Sequence, residues 1–579
     1  MLFNSAEFFV FFAIVYVLYR LLKDVRAQNR MLLLASYIFY GWWDVRFLYL
    51  VVLSTGLDYC CGLILGPGKI PAVDRAKVSG CLVLAALAFV VPRWDAVGLA
   101  PAVAGAASSG SGPAGVWALA TPMGRLEVDV ARLLAPDWLG WSVLGGTLAA
   151  VAVANLIYPP LARLPEGHRR RIGLVLTVAS NLVFLGFFKY FNFFIDSADR
   201  LLAAVGSSAT AWHLQILLPA GISFYTFQSL SYTIDVYKGR TGAIGRLEDY
   251  ALFVMFFPVL VAGPIERAGH MMPKLLTPRR LDVDQTTRGL FLILFGLMKK
   301  VAIADGLAPT VNSVYASTGA ATWLDVVLAT LLFTFQIYCD FSGYTDIARG
   351  VGKVLGIDLL YNFNLPYFSR SPGEFWQRWH ISLSSWLRDY LYIPLGGNRN
   401  GEGRTYRNLM ITMALGGLWH GSAWNFVLWG IYHGAILCAY RAITPGRPVP
   451  DPDPASPIVR GRRLPDAARF VASLGLFFAL TCYGWLLFRA SSLGQVVRFT
   501  GTLVADFGNL ATIIKRPTLS AQAGLLVLIG FEILEYAAGS RTFYRGWPRP
   551  VRGAFYAVVA FILIMGTSNE TAQFIYFQF

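Results

Sequence analysis

Long apolar runs separated by short basic loops are the feature of this sequence that most limits its fold. A helix that crosses a bilayer needs about 20 predominantly apolar residues, and runs of roughly that length recur along the chain. The chain is 56% hydrophobic and only 14% charged, with a mean hydropathy of +0.54, which indicates an all-α polytopic membrane protein rather than a large soluble core. We predict spans near 6–22, 31–45, 47–66, 78–93, 141–160, 172–193, 214–235, 286–304, 322–349, 467–488, 521–537 and 552–568.

The basic residues predict how the chain is oriented. A formal net charge of +16 would suit nucleic acid, but Lys and Arg gather in short loops between apolar runs. This is the positive-inside pattern of a multi-pass membrane protein, so we expect no nucleic-acid partner. The first run ends at Arg20 and is followed by Lys23, which predicts an extracytoplasmic N-terminus and a cytoplasmic flank after the first span.

One apolar run, 249–265, has basic residues on both flanks and is interrupted by Pro258 and by Gly263-Pro264. Two cytoplasmic flanks favour a re-entrant hairpin over a span. Irregular backbone at membrane depth is tolerated where protein or a water-filled cavity covers it. The sequence therefore predicts a broken helix here, inside the helical assembly.

A second broken pair is predicted around His420. This residue follows Arg407 by only thirteen residues, and the next apolar run ends at Arg441. Thirteen helical residues rise about 20 Å, short of a core about 30 Å thick. With Gly421 able to turn the chain, His420 is predicted to lie at a turn deep in the bilayer.

Two other stretches combine charge with apolar sequence. The helix at 286–304 is predicted to end in Lys299-Lys300. The stretch 361–392 interleaves aromatic and charged residues, which is typical of an interfacial amphipathic segment rather than a span.

These patterns divide the chain into five parts. The parts are N-terminal transmembrane helices (1–66), an insertion (67–166), a catalytic core (167–441), a linker (442–466) and C-terminal transmembrane helices (467–579). The insertion is predicted to hold an extra helix pair and a flexible external loop rich in Gly, Ala and Ser, and the linker is predicted to be cytoplasmic.

Few residues in this chain could do chemistry. There is no metalloprotease, P-loop, nucleophile-elbow or dinucleotide motif, and no Cys/His spacing that predicts a metal. His380 and His420 remain, because a neutral imidazole can take a proton from a hydroxyl near pH 7. Two histidines without an acidic pair favour direct group transfer to an alcohol.

Structural interpretations stand beside this one. An intramembrane histidine such as His420 also serves as a hydrogen-bond donor between helices. Asp340 and Asp346 could line a cavity or simply bridge helices, and His433 is interpreted as structural.

Five stretches resemble one known family, the membrane-bound O-acyltransferase superfamily, in its alginate O-acetyltransferase membrane-subunit type. The resemblance covers most of the chain from Met1 to about Leu65 and from Arg170 onward, whereas Gly66 to Glu166 is longer than the family pattern. The stretches are Leu218–Phe227, Phe257–Ile265, Tyr338–Asp346, Phe375–Asn398 and Gly416–Gly430.

The resemblance implies a ring of transmembrane helices, some broken or re-entrant, around a central tunnel in a thinned bacterial inner membrane. It implies that His380 and His420 mark the active site, with His420 as the base. An acyl group would pass from a cytoplasmic thioester to a hydroxyl on the outer side, usually with a partner protein that completes transfer to a polysaccharide.

The resulting hypothesis is an O-acyltransferase, most simply an O-acetyltransferase. His420 would deprotonate the acceptor, His380 would orient the donor or stabilise the oxyanion, and Arg378, Arg388 and Arg399 would bind donor phosphates. We expect acetyl-CoA or an acyl-carrier thioester as donor, no tightly bound cofactor, and a periplasmic acetyltransferase-like partner. Predicted substrate-binding residues are Trp376, Arg378, Trp379, Arg388, Asn398, Asp340, Tyr338 and Trp419.

Two other classes compete with the enzyme. A transporter or flippase for a polysaccharide precursor would use the histidines as a proton relay. A scaffold for an export complex would lose both histidines without consequence. The non-spanning helix before His420 and the lack of a visible internal repeat weigh against the transporter.

Overall fold

A computed structural model describes residues 1–100, 116–121, 124–135, 138–206, 213–214, 216–279, 282–317, 321–445, 464–512, 514–567 and 575. Helices dominate these residues, and eight helices among them are long and apolar enough to cross a membrane. The prediction of an all-α polytopic membrane protein is confirmed.

The N-terminal helices surround a buried third helix. This helix, Phe47–Leu65, is buried over most of its length because the helices Glu166–Leu185 and Ile222–Tyr237 pack against it. Its Asp58 carboxylate accepts hydrogen bonds from Thr177 and from Asn181, the latter at 2.9 Å, so a buried charge joins the helices. The first elements are α1 (Ala6–Leu21), α2 (Val25–Gly41), α3 (Phe47–Leu65) and α4 (Ala72–Phe89).

The insertion contains a small sheet that the sequence did not predict. Three antiparallel strands pair in the order β1-β3-β2. In sequence, β1 precedes residues 101–115 and the other two strands follow them. Residues 101–115, which include most of the predicted flexible loop, lie outside the described residues. The predicted extra helix pair packs together as α4 and α6. The elements are β1 (Val97–Ala100), β2 (Val116–Thr121), β3 (Gly124–Asp129), α5 (Val130–Leu133) and α6 (Trp138–Arg163).

Two predicted spans have different limits. The span at 172–193 is part of one continuous helix made of α7 (Glu166–Leu185), a π-helical turn (Gly186–Tyr190) and α8 (Phe191–Ala204). The span at 214–235 begins later, as α9 (Ile222–Tyr237), because Gly221 has a φ of +73°. A Cβ at Gly221 would lie 2.3 Å from the Leu260 carbonyl oxygen, so the chain passes too closely there for any other residue.

The run at 249–265 is broken, as its prolines predicted. Helix α10 (Leu247–Met255) stops at Phe256 and α11 (Phe257–Leu260) follows, and every residue from Asp249 to Leu260 is buried. Protein therefore covers the irregular backbone, while re-entrant topology stays a prediction. Helix α12 (Ala268–Leu276) comes next.

The prediction that a helix ends at Lys299-Lys300 is wrong. Helix α13 (Val283–Leu297) continues through a π-helical segment (Met298–Asp305) into α14 (Gly306–Tyr315). Lys299 pairs with Asp346 at 2.8 Å, and Lys300 pairs with Asp340 at 2.6 Å. These carboxylates lie on the long α15 (Trp323–Val354), and they offset the cost of burying two ammonium groups.

The prediction that 361–392 lies on the membrane surface is also wrong. Trp379 is only 1% exposed and Phe375 is fully buried, because their rings pack against each other and against Trp485 and Phe477 of a later helix. The aromatic residues that suggested an interface instead fill the centre of the protein. The remaining helices are α16 (Pro372–Arg378), α17 (Ile381–Leu387), α18 (Glu402–His420), α19 (Trp424–Ile443), α20 (Leu464–Arg489), the unpredicted α21 (Leu493–Ala505), α22 (Leu519–Ala538) and α23 (Arg549–Gly566).

Candidate active site

His420 is the last residue of α18, at the tip of a tight helical hairpin. The predicted break is present: Gly421 is extended, and α19 begins at Trp424. Glycines let the two helices touch backbone to backbone, since a Cβ at Gly417 would lie 2.2 Å from the Phe426 carbonyl oxygen. Small residues at such a contact are typical of closely packed membrane helices, and here they place His420 at the buried end of the hairpin.

His380 lies in a left-handed turn before α17. Its φ of +43° and ψ of +53° are unusual for a residue other than glycine and cost about 1–3 kcal/mol. Hydrogen bonds hold the turn: the Ile381 N–H donates to the Asn362 carbonyl at 2.9 Å, and the Ser382 hydroxyl donates to the Asn362 side chain at 2.6 Å. A strained histidine that its surroundings fix is a feature of functional sites.

The two imidazoles face each other in the protein interior. Their ring centroids are 6.3 Å apart, with His380 fully buried and His420 5% exposed. Phe341 packs edge-on against His380 at 4.6 Å, and Trp429 packs edge-on against His420 at 5.1 Å. The space between the rings is therefore walled by aromatic side chains.

The structure brings three predicted tryptophans to this site. Trp419 packs beside both histidines, with its ring centroid 5.8 Å from that of His380 and 5.0 Å from that of His420. Trp376 contacts Trp429, and Trp379 contacts the buried Trp485. These side chains form the walls of the site.

Arg378 is placed differently from its predicted phosphate-binding position. Its guanidinium is buried, donates to Glu374 at 3.1 Å and donates to the Asn364 carbonyl at 3.0 Å. This arginine therefore anchors the turn that carries His380, because both of its neighbours are protein groups in the interior.

Four other predicted substrate-binding residues do not contact the imidazoles. Two of them, Tyr338 and Asp340, bind protein groups, and the other two, Arg388 and Asn398, lie on the surface. The Tyr338 hydroxyl donates to Glu532 at 2.5 Å, and Asp340 pairs with Lys300 and accepts from the Ile575 N–H. Arg388 and Asn398 are exposed, as is Arg399. These three exposed residues remain available to a ligand on the surface.

A polar cavity approaches the His380 turn from one side. Its volume is about 140 Å³, and its lining includes five basic and three acidic side chains. Phe363 lines its inner end and packs on Phe341, which in turn packs on His380. Along this path two aromatic rings in series therefore separate the cavity from the imidazole. The charged lining residues are Arg288, Lys299, Asp346, Arg349, Lys353, Glu532, Glu535 and Arg541.

A smaller cavity approaches from another side. Its volume is about 80 Å³, and Lys189, Ser223, Phe224 and Trp419 are among the residues that line it. The rings of Phe224 and Trp419 also pack on His380, at 6.4 and 5.8 Å. Neither of these two cavities is lined by a histidine, and aromatic side chains separate each of them from His380.

Sequence reasoning missed several charged residues near this centre. Lys189 donates to the backbone carbonyls of Trp419 and His420, and Glu532 accepts from Tyr338. Both sit inside apolar runs, where an ionisable residue is costly and signals a role. Within the described part of the chain, no group of three His, Cys, Asp or Glu side chains could hold a metal ion.

Comparison with known proteins shows which protein family this chain resembles. Residues 242–486 match the family model of MBOAT, the membrane-bound O-acyltransferase family. The chain is 42% identical over 385 residues to the probable alginate O-acetylase AlgI of Azotobacter vinelandii, covering 66% of this chain and 72% of that one.

Two further relatives extend the match. The probable alginate O-acetylase AlgI of Pseudomonas putida is 32% identical over an alignment of 603 positions that covers both chains completely. The peptidoglycan O-acetyltransferase of Helicobacter pylori is 38% identical over 299 residues, covering 47% of this chain and 56% of that one.

The fold and these similarities define a multi-pass membrane acyltransferase. The chain belongs to the membrane-bound O-acyltransferase family. The predicted enzyme class, an acyltransferase, is confirmed, and it is favoured over the transporter and scaffold alternatives.

Proposed function

We propose that this membrane O-acyltransferase moves an acetyl group from a cytoplasmic thioester to a hydroxyl of an extracytoplasmic polysaccharide, or to a partner protein that serves the polysaccharide. The observation that carries the proposal is the pair of buried imidazoles 6.3 Å apart, with one cavity ending near them on each of two sides. The names of the relatives support acetyl as the acyl group and a cell-surface polysaccharide as the acceptor.

The polar cavity is the proposed entrance for the donor. Basic side chains such as Arg349, Lys353 and Arg541 suit the phosphates of coenzyme A or of a carrier-protein pantetheine arm. Their positions near the ends of helices support an entrance on the cytoplasmic side, because the positive-inside rule favours basic residues there. Exposed Arg388 and Arg399 would contribute further positive charge to a docking carrier.

The smaller cavity is the proposed entrance for the acceptor. Its volume of about 80 Å³ admits a small group such as a sugar hydroxymethyl, and Ser223 offers a hydroxyl for orientation. Trp43 in its lining follows α2, whose other end carries the basic residues Arg26 and Arg30. The same charge rule supports a position for this cavity on the outer side of a bacterial inner membrane.

The chemistry needs only the two histidines. The neutral imidazole of His420 accepts the proton of the acceptor hydroxyl while the hydroxyl oxygen attacks the thioester carbonyl. The carbon–sulfur bond then breaks, and the departing sulfur takes the proton back from His420. His380 donates a hydrogen bond to the carbonyl oxygen as negative charge develops there.

The aromatic layers explain why such a site would not hydrolyse its donor. Phe341 and Phe363 on the donor side, and Phe224 and Trp419 on the acceptor side, separate the imidazoles from water in the two cavities. We propose that these rings move aside when the thioester and the acceptor enter. Exclusion of water would then favour transfer to the hydroxyl.

The test is transfer of labelled acetyl from a thioester to polysaccharide in membranes that contain the protein. His420→Ala should lower the transfer rate about 10²–10⁴-fold, the range for loss of a general base, and His380→Ala should also lower it. His168→Ala is the matched control, because His168 is exposed in the first turn of α7. Full activity of His420→Ala in folded protein would contradict the proposal.

A second arm identifies the donor and the acceptor route. In inverted vesicles, acetyl-CoA and an acetylated carrier protein are offered separately, with and without a periplasmic acetyltransferase-like protein. Product that appears inside the vesicle from either thioester supports transfer across the membrane. Product on the donor side alone would contradict it.

A further inference from the structure

The π-helical turn Gly186–Tyr190 binds the end of the helix that carries His420. The Lys189 ammonium donates to the Trp419 carbonyl at 2.6 Å and to the His420 carbonyl at 3.2 Å. The neighbouring Tyr190 hydroxyl donates to the Leu418 carbonyl at 2.9 Å. Two adjacent side chains of one helix thus bind three consecutive carbonyls of another.

Helix α18 requires such partners at this end. The last four carbonyls of any helix lack an intrahelical donor, and together they form the negative end of the helix dipole. Because α18 stops at His420 in the interior, water cannot readily serve these groups. A cation at a helix C-terminus satisfies both the hydrogen bonds and the dipole.

The location of the donors supports a role beyond packing. π-helical turns are rare and occur frequently at functional sites, and this one interrupts an otherwise regular helix of 39 residues. The Lys189 ammonium also lies 5.8 Å from the centre of the Trp419 ring, which packs against both histidines. The donors therefore contact the segment that fixes the geometry of the imidazoles.

We propose that Lys189 and Tyr190 are positioning residues for acyl transfer, which hold the carbonyl end of α18 so that His420 faces His380. The proposal rests on the proposed function, since it assigns a role through His420. Lys189 also lines the smaller cavity, so a direct contact with the acceptor is the competing role, and kinetics separate the two.

The kinetic test uses Lys189→Met, Tyr190→Phe and the control Arg200→Met, which removes an exposed cation from the same continuous helix. Misplacement of a catalytic group by about 1 Å costs up to about 10²-fold. Lys189→Met should therefore lower kcat about tenfold to a hundredfold with KM unchanged, Tyr190→Phe should lower kcat less, and Lys189→Arg should restore part of the loss. A raised KM with unchanged kcat would overturn the proposal in favour of acceptor binding.

A double variant tests whether Lys189 acts through His420. In the background of His420→Gln, Lys189→Met should cause no further loss of the residual rate, because the group that it positions is already gone. A further tenfold loss in that background would show that Lys189 acts elsewhere, and it would overturn the proposal.

Backbone hydrogen exchange provides a readout that does not need activity. Lys189→Met should speed exchange in the peptide around Leu418–Gly421, whereas Arg200→Met should not. Faster exchange without any acyl transfer by the wild-type protein would leave the contact correct and the proposed function wrong. Unchanged exchange together with unchanged kcat, in an active enzyme, would overturn the positioning role alone.

Discussion

The two histidines are held by two different kinds of structure. His420 ends a hairpin whose helices meet at Gly417 and Gly430 without intervening side chains. His380 lies in an irregular turn that buried polar contacts hold, including the ion pair between Arg378 and Glu374. The hairpin depends on glycines, which have no side chain to separate the helices, and the turn depends on hydrogen bonds and an ion pair with buried polar groups.

This difference teaches how a membrane protein can hold a strained turn at its centre. Close backbone contact between helices needs no polar group and suits an apolar environment. An irregular turn must have every backbone group satisfied by protein, and here Asn362, Arg378 and Ser382 supply those bonds. We therefore expect the two sides to respond to opposite kinds of substitution.

The largest effect is expected on the His380 side, from Glu374→Gln. Glu374 is 2% exposed and accepts hydrogen bonds from Arg378 and Arg370. Removing its charge leaves the buried Arg378 uncompensated, which should lower the free energy of unfolding by about 3–5 kcal/mol. The measurement is denaturant unfolding in detergent, followed by acyl transfer on the folded fraction.

The matched control for this change is Glu402→Gln. Glu402 forms an ion pair with Arg441 of the same chemistry, but both side chains are well exposed. Exposed pairs contribute little to stability, so we expect no measurable change. Equal losses in both variants would mean that burial of the Arg378 pair does not matter.

The next effect is expected on the His420 side, from Gly417→Ala. The added methyl group would meet the Phe426 carbonyl and the Gly430 backbone, and forced overpacking costs about 1–3 kcal/mol. Because the helices must separate, acyl transfer should fall together with stability. Thermal unfolding and transfer rate measure the two effects.

Gly403→Ala in the same helix serves as the control, since open space surrounds a Cβ at that position. Alanine favours helix over glycine, so this variant should be at least as stable as the parent. A stable and active Gly417→Ala protein would refute the close-contact account of the hairpin.

The sequence predicted one of these two structures better than the other. The hairpin around His420 followed from charge and length alone, because a short helix between basic flanks and a glycine have few alternatives. The turn at His380 was interpreted as a surface segment, since aromatic and basic residues look alike at a membrane interface and in a stacked interior. Which one forms depends on partners such as Trp485 that are distant in sequence.

Long-range pairing also explains the errors elsewhere in the fold. Lys299-Lys300 indicated the end of a helix because two adjacent lysines are costly inside a membrane. Their carboxylate partners Asp340 and Asp346 lie on α15, about 40 residues further along the chain. No local sequence pattern predicts a contact over that distance. Lys189 was missed for the same reason, since its acceptors are the Trp419 and His420 carbonyls of another helix.

The smallest expected effect compares the loss of one hydroxyl on each side. The Ser384 hydroxyl donates to the Trp379 carbonyl, next to His380 in sequence, whereas the Thr412 hydroxyl donates to Asn408 within its own helix. Ser384→Ala should therefore cost about 0.5–1.5 kcal/mol and some activity, because a bond that shapes the turn is lost. Thr412→Val should cost less, because that bond only supplements a regular helix. Thermal unfolding and transfer rate of both variants decide the point: a larger loss from Thr412→Val would mean that the Ser384 bond does not hold the His380 turn.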